Sequence, residues 1–337
     1  MKKKAGSATQ IIVFTAIGVA LVWLSIHNIP DDSVAQTREA FTKANYGMVF
    51  LSMLLGISAH VVRAWRWNAL LHPLGYKISF YNAFSAVMIG YVVNYAIPRA
   101  GELSRCGVAS RYGKIPFSIA LGTVITERII DVLLLFVLFF FTLAFQFKEL
   151  LGLTQKYLIA PLKDSFAGKS EYLLVFAGLL FVLVLLIYWL RKKIKSLLGR
   201  KLGKFAANFF EGLKSVKGLK HPGRFILEST LIWVCYFLSL YVCFWCFPEM
   251  SGLGLKSALS VLLFGTIGVM VSPGGIGAYQ FITTQVLLFY AISIPIANAF
   301  PWIVWGAQLI AIVVIGAICF ILLPILNRNQ NEFSKNQ

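Results

Sequence analysis

Three ionisable residues lie close together in a segment that is otherwise apolar. Glu127, Arg128 and Asp131 fall within residues 126–131, and a helix places Glu127 and Asp131, four positions apart, on one face. A charge at the centre of a bilayer costs roughly 2.5–3.5 kcal/mol on insertion scales, so such residues usually face a cavity or a partner. The pattern predicts a site for a charged group, a set of buried ion pairs that locks helices together, or both.

Two breaks rich in proline and glycine interrupt apolar segments, one in each half of the chain. The first reads Ile97-Pro98-Arg99-Ala100-Gly101-Glu102, and the second reads Ser272-Pro273-Gly274-Gly275-Ile276-Gly277. Lipid cannot hydrogen-bond to an open backbone, so an unwound stretch at membrane depth must be buried in protein or line a cavity. A matched pair of broken segments indicates a transporter's substrate site. The pattern therefore predicts a translocation protein rather than a membrane anchor.

The two breaks differ in charge. The first offers Arg99, Glu102 and Arg105 as partners for the charged helix that follows, and we expect Arg105 to lie near Glu127. Fixed counter-charges and the amides of a helix N-terminus both favour binding of a charged headgroup. The predicted substrate-binding residues are Asn94, Pro98, Arg99, Gly101, Glu102, Arg105, Glu127, Arg128, Asp131, Pro273, Gly274, Gly275, Gly277 and Gln280.

Composition indicates the class of protein that must position these residues. Mean hydropathy is +0.78 and only 13% of the residues are charged, which would leave far too much apolar surface in water for a soluble protein. Segments long enough to span a bilayer, where about 20 apolar residues suffice, are 11–29, 46–62, 117–147, 172–190, 225–247 and 299–325; 80–97 and 255–291 are apolar but interrupted. We predict an all-α, polytopic helix bundle that forms one integral membrane domain over residues 1–337.

Basic residues predict the orientation. Lys2, Lys3 and Lys4 precede the first span, and eleven Lys and Arg lie in 191–224 against one acid. By the positive-inside rule, residues 1–10 form a cytoplasmic tail, 191–224 a basic cytoplasmic loop and 326–337 a second cytoplasmic tail, in a multi-pass protein of the cytoplasmic (inner) membrane. Segment 46–62 is then expected to reach the cytoplasm at Arg63 and Arg66.

Charge placement also predicts the path of the interrupted segments. If 80–97 crossed the bilayer fully, four basic residues would lie outside: Arg99, Arg105, Arg111 and Lys114. A re-entrant path that returns after the break keeps them near the cytoplasm. The second interrupted segment has arms at 255–271 and 278–291, and either a full crossing or a re-entrant path suits it. Two re-entrant helical hairpins entering from opposite faces would form an inverted repeat.

Other classes of site find little support. The five cysteines and four histidines are scattered without metal-ligand spacing, so we predict neither a metal nor a cofactor. The basic charge is concentrated where the topology rule requires it, which argues against nucleic-acid binding. Membrane lipids, either phospholipid or linked to polyprenyl phosphate, are the expected partners, and the oligomeric state is left open.

Three motifs in order resemble the lysylphosphatidylglycerol synthase transmembrane-region family, a flippase-like domain. They are residues 94–105, 126–131 and 273–280, and the basic-aromatic stretch 63–67 is also similar to that family. Its best-known members add a soluble aminoacyl transferase, which is missing here, so the resemblance implies lipid translocation rather than lipid synthesis. This chain has Gln280 where the family pattern usually has Glu, so a preference for cationic headgroups does not carry over.

Two classes of function follow. The first is a flippase-like protein that moves a lipid or lipid-linked headgroup through a polar cavity formed by the two breaks. The second is a membrane-embedded lipid-modifying enzyme with Glu127 or Asp131 as general base, although no complete catalytic constellation is visible. An accessory scaffold of envelope biosynthesis is a further alternative.

Overall fold

The chain forms a helical bundle. The computed structural model describes residues 31–97, 100–154 and 214–328, together with Trp23, and every regular element in these ranges is a helix. The α-helices are α1 (Asp31–Lys43), α2 (Tyr46–Leu71), α3 (Phe80–Ala96), α4 (Gly101–Gly113), α5 (Phe117–Thr154), α6 (Pro222–Val242), α7 (Leu255–Val271), α8 (Ala278–Phe289) and α9 (Ile294–Leu326). The all-α prediction is confirmed for this part of the chain. The predicted spans 11–29 and 172–190, the tail 1–10, and most of the loop 191–224 and tail 326–337 lie outside the described residues.

Several helices have the length and surface of membrane spans. Tyr46–Leu74, Pro222–Cys246 and Ile294–Leu326 are long and apolar enough to cross a bilayer. Large apolar side chains point outward along α5 and α9; Phe140 is 62% exposed and Phe320 is 69% exposed. An apolar surface of this kind is unusual in a water-soluble monomer, and it fits a bundle whose outer face contacts lipid.

Helix α2 extends past its predicted end. The Asn45 side chain accepts a hydrogen bond from the Gly47 amide (3.0 Å) and caps its start, and the helix continues to Leu71 instead of ending near residue 62. Arg63 and Arg66 therefore lie within the helix and are 3% and 0% exposed. The predicted end of the span at residue 62 is therefore wrong, because both arginines are buried as partners of Asp131 in the bundle. That this end of the helix reaches the cytoplasm stays a prediction.

The first break joins two helices that pack against each other in opposite directions. The Asn82 amide donates to the Tyr112 carbonyl (3.3 Å), and the Gly101 amide donates to Asn94 Oδ1 (2.7 Å), so the start of α3 lies beside the end of α4. Gly90 and Gly101 make the close approach possible, since a Cβ on Gly101 would overlap the Gly90 carbonyl oxygen. The hydrogen bond from Asn94 brings the start of α4 against α3.

The second break joins α7 and α8 in a similar antiparallel pair. Gly265 and Gly268 of α7 both lie against Tyr279 of α8. Within the break, Gly274 has φ 61° and Gly277 has φ 79°, in the left-handed region where a Cβ is strained. Glycine at these two positions lets the chain reverse direction within a short turn, and no charged side chain takes part in the turn.

The two breaks lie close together in the bundle. A Cβ built on Gly274 would lie 2.6 Å from Tyr95 Cδ1, at the end of α3. The Trp305 indole of α9 donates to the Gly274 carbonyl (2.8 Å), and its ring lies 6.4 Å from that of Tyr95. Helix α9 therefore holds the second break beside the end of the helix that leads into the first.

A buried polar contact fixes α2 against its neighbours. The hydroxyls of Ser52 and Ser239 lie 3.0 Å apart, and the Gln308 amide of α9 donates to the Ser52 carbonyl (3.2 Å). Gly56, one turn further along α2, leaves room for the Gln308 side chain. Polar groups in an apolar bundle need partners, so this contact sets the position of the helix that carries Arg63 and Arg66.

Candidate functional site

Charged side chains from three helices converge inside the bundle. Helix α2 provides two cations, α4 provides one cation and one acid, and α5 provides two acids and one cation. The members are Arg63, Arg66, Glu102, Arg105, Glu127, Arg128 and Asp131. Spacings of three or four residues put Arg63 with Arg66, Glu102 with Arg105, and Glu127 with Asp131 on one face of their helices, and Arg128, next to Glu127, lies at the edge of that face. We call this set the charged cluster.

Glu127 is the centre of the buried part of the cluster. Its side chain is fully buried; Arg105 Nη1 lies 2.6 Å from Oε2 and Arg66 Nε lies 3.4 Å from Oε1. The predicted proximity of Arg105 and Glu127 is confirmed. A carboxylate in an apolar interior needs such partners, since the desolvation of an unpaired ion costs several kcal/mol.

Two arginines of α2 bind Asp131, and neither was among its predicted partners. Arg63 Nη1 lies 2.6 Å from Oδ2, and Arg66 Nη1 lies 2.9 Å from Oδ1. The expected partners of this aspartate were on the first break instead. Two cations three residues apart at the end of an apolar run were a usable signal, because that spacing puts both on one helix face.

Neutral side chains hold the buried arginines in position. The Arg105 guanidinium stacks on the Trp67 ring, 3.9 Å from its centroid, and the Trp67 indole donates to Thr123 Oγ1 (2.9 Å). Arg66 Nη1 donates to Ser229 Oγ of α6 (3.2 Å). Guanidinium groups suit this environment, since they are weakly hydrated and stack on aromatic faces.

The outer part of the cluster is looser. Arg128 is 38% exposed, and its closest acidic contacts are Glu102 at 3.7 Å and Asp131 at 3.6 Å. Glu102 is itself 29% exposed. Partly exposed pairs at these distances contribute little to stability, so Arg128 and Glu102 can exchange partners at low cost.

A narrow, partly open cleft borders this outer part. The empty space between its walls is about 220 Å³ when the part open to the outside is counted, and the enclosed part is only large enough for about one water molecule. Its walls come from α3, α4 and α5 and are formed by Val87, Gly90, Tyr91, Asn94, Gly101, Glu102, Arg105 and Arg128. Five of the predicted site residues thus line one cleft, whereas Glu127 and Asp131 lie behind its wall as partners of the arginines. Tyr91 was missed, since nothing in its sequence neighbourhood marks it.

The remaining predicted residues are not part of the cleft wall. Pro98 and Arg99 lie outside the described residues. Gly274, Gly275 and Gly277 form the second break beside Tyr95, and Pro273 opens it. Gln280 is fully buried and its Oε1 accepts from the Gly277 amide (2.8 Å), so it caps α8 and holds the turn.

The arrangement suits binding better than proton transfer. Both oxygens of Glu127 and both of Asp131 already face a guanidinium group, so neither acid presents an unoccupied oxygen to a substrate. Among residues 31–97, 100–154 and 214–328, no three His, Cys, Asp or Glu side chains come together as a metal would need. Among the described members of the charged cluster, Glu102, Arg105 and Arg128 line the cleft, together with the start of α4.

Comparisons with known proteins agree with this architecture. The chain is 26% identical over 316 residues to a UPF0104 membrane protein of Methanocaldococcus jannaschii, covering 88% of each chain. It is 25% identical over 319 residues to a UPF0104 membrane protein of Pyrococcus horikoshii, covering 86% of this chain and 88% of the relative. No solved structure matches it. The profile of the lysylphosphatidylglycerol synthase TM region matches residues 11–316. This chain, a multi-pass membrane protein, therefore belongs to the lysylphosphatidylglycerol synthase TM region family.

Proposed function

We propose that this protein is flippase-like and moves a lipid or lipid-linked headgroup across the cytoplasmic membrane. The observation that carries the proposal is the cleft at the start of α4, where charged residues of the first break meet those of α5. A charged headgroup crossing the hydrocarbon core needs polar partners along its path, since an unpaired charge there is costly. Acyl chains would stay in lipid beside the exposed apolar face of α5.

The two antiparallel helix pairs provide a route for alternating access. In this proposal, α3–α4 and α7–α8 are re-entrant hairpins that enter from opposite faces as an inverted repeat, with the N- and C-termini in the cytoplasm. The contact between Tyr95 and Gly274 supports it, because it joins the two breaks where such hairpins would meet. Rocking of one pair against the other would open the cleft to each face in turn.

The test measures translocation in proteoliposomes. Purified protein should accelerate the exposure of a labelled lipid headgroup, and Glu102→Gln or Arg128→Ala should slow it without unfolding the protein. Arg111→Gln is a matched control, because Arg111 lies on α4, outside the cleft wall, with its guanidinium near the Tyr112 ring. No acceleration with anionic, zwitterionic and polyprenyl-phosphate lipids would contradict the proposal, and a chemically altered lipid would favour the enzyme alternative.

A labelling experiment tests the path of the first pair. A single cysteine placed beside Arg111 should react with an impermeant reagent from the cytoplasmic side. Labelling from the outside alone would contradict the re-entrant path, while leaving the translocation assay to decide the function.

A further inference from the structure

We infer that the cleft binds the phosphate of a phosphoester, with Arg105, Arg128 and the first turn of α4 as the anion site. The inference rests on the proposed function in that the phosphoester is taken to belong to a lipid headgroup. It narrows the proposed substrate from any charged headgroup to a headgroup with an anionic group at this position. Three features of the cleft support it: one cation in excess, buried donors without a partner, and the start of a helix.

Charge balance leaves one cation in excess. Within the described residues, the charged cluster contains four guanidinium groups and three carboxylates. An excess of one sign in an apolar bundle is unfavourable unless a counter-ion is present. The cluster therefore has a deficit that one anionic ligand would fill.

The excess charge lies on the side of the cleft. The oxygens of Glu127 and Asp131 are engaged at 2.6–3.4 Å by Arg63, Arg66 and Arg105. Arg128, which lines the cleft, has acidic contacts only at 3.6 Å and beyond. The positive potential is thus least compensated where a ligand can enter.

Arg105 also has donors to spare. Its side chain is 4% exposed and lines the cleft, and its Nε and Nη2 have no hydrogen-bond partner within the described residues. Buried guanidinium donors are normally satisfied. Arg63 and Arg66 also have nitrogens without a hydrogen-bond partner within the described residues, but of these three arginines Arg105 alone lines the cleft. A phosphate oxygen would satisfy these donors, and the planar fork of a guanidinium matches phosphate geometry.

The start of α4 provides a third contribution. This helix begins at Gly101 after Ala100, which offers no side-chain cap, and Asn94 accepts from only the first amide. Amides in the first turn have no acceptor within the helix, and the helix dipole makes this end attractive to anions. The same turn lines the cleft through Gly101 and Glu102.

Glu102 is the internal competitor for the phosphate. Its carboxylate lies 3.7 Å from Arg128 Nε, in the position relative to Arg128 that a bound phosphate oxygen would take. An incoming phosphoester replaces Glu102 as the partner of Arg128, and Glu102 takes Arg128 back when the ligand leaves. Removing the Glu102 charge should therefore tighten binding, while slowing release and hence translocation.

Binding in detergent tests the inference without any translocation step. The probe is dioctanoylphosphatidylglycerol, compared with dioctanoylglycerol, which lacks the phosphate, and affinity is read from the rise in unfolding temperature with lipid concentration. We expect stabilisation by the phospholipid alone. Arg128→Gln should weaken binding about tenfold, the effect of one lost charge-assisted contact, Glu102→Gln should tighten it, and Arg111→Gln should match the wild type.

Several outcomes would overturn the inference. Equal stabilisation by dioctanoylglycerol would show that the phosphate is not recognised. Weaker binding in Glu102→Gln, with no loss in Arg128→Gln, would indicate that the cleft binds a cation instead. Unfolding temperatures without lipid identify any variant that fails to fold, and Arg128→Lys, which keeps the charge, should then retain more affinity than Arg128→Gln.

A second set of measurements identifies the source of the phosphate and distinguishes failure of this inference from failure of the proposed function. Binding of glycerol 3-phosphate or inorganic phosphate as tight as that of the phospholipid would support the anion site and oppose a lipid source. Phosphate-selective binding without translocation contradicts the proposed function alone. Translocation that does not depend on a headgroup phosphate contradicts this inference alone.

Discussion

The first break is stabilised by charged side chains, whereas the second depends on glycine conformations and neutral hydrogen bonds. Around the first, Glu102 and Arg105 form ion pairs with α5. Around the second, positive-φ glycines turn the chain and Gln280 caps α8. Both breaks place non-helical backbone in an apolar bundle. The chain thus places charge at the first break and conformationally special glycines at the second, and in the proposed function only the first would recognise a headgroup.

The largest expected effect comes from removing the central charge beside the first break. Glu127→Gln leaves Arg105 and Arg66 without their shared carboxylate, and breaking a buried pair from one side costs about 3–5 kcal/mol. We expect a large fall in unfolding temperature or loss of folded protein, measured by fluorescence-detected size exclusion. Glu127→Gln with Arg105→Gln should recover part of the loss, and a stable single variant would contradict the assignment of charge to this break.

The next effect tests close packing at the first break. Gly101→Ala places a Cβ against the Gly90 carbonyl and 2.5 Å from Asn94 Cγ, so α3 and α4 must separate at a cost of about 1–3 kcal/mol. Gly107→Ala on the same helix meets nothing within 4 Å and should be neutral or slightly stabilising. Thermal unfolding of the two variants measures the difference. Equal unfolding temperatures would show that the first break depends on charge alone.

The second break should respond to backbone strain. Gly274→Ala forces an L-residue to φ 61°, which costs about 1–2 kcal/mol, and its Cβ meets the Tyr95 ring. We expect a lower unfolding temperature that is insensitive to salt. Gly252→Ala, where a Cβ meets nothing within 4 Å, is the control. If the double variant Gly274→Ala with Tyr95→Ala regained the full unfolding temperature, the contact with Tyr95, rather than the backbone conformation, would be the reason that position 274 requires glycine.

The smallest effect on stability belongs to the outer pair of the first break. Arg128→Gln removes contacts of 3.6–3.7 Å from a side chain that is 38% exposed, so the free energy of unfolding should change by less than about 1 kcal/mol. Arg224→Gln, which removes the 2.8 Å pair with Glu228, should be equally mild. Of these two variants, only Arg128→Gln should impair translocation. A large loss of stability in Arg128→Gln would show instead that the pair of Arg128 and Glu102 stabilises the fold.

The sequence predicted the parts of this molecule that depend on local physics. Within the described residues, hydropathy located the long apolar helices, and the proline and glycine breaks marked where α3 and α7 end to within a few residues. The four-residue spacing correctly placed Glu127 and Asp131 on one helix face. The predicted contact between Arg105 and Glu127 is also present.

Contacts between distant segments explain what was missed. Arg63 and Arg66 follow an apolar run, so they looked like the aqueous end of a span; only the packing of α2 against α5 makes them partners of Asp131. Tyr91 lines the cleft because α4 folds back over α3. The sequence also gave no reason to treat Gln280 as a cap rather than a site residue, because its acceptor role depends on the geometry of the turn.

Trp305 contacts the second break and lies beside Tyr95, at the end of the helix that leads into the first break, so it is a natural optical reporter. Its indole donates to the Gly274 carbonyl and its ring lies beside Tyr95, so movement of either break changes the hydrogen bonding and polarity around one fluorophore. The difference in emission between the wild type and Trp305→Phe would follow the relative motion of the breaks in real time, with Trp67 left in place under Arg105. A shift on adding lipid would measure the coupling between the charged and the glycine-rich break with no attached label.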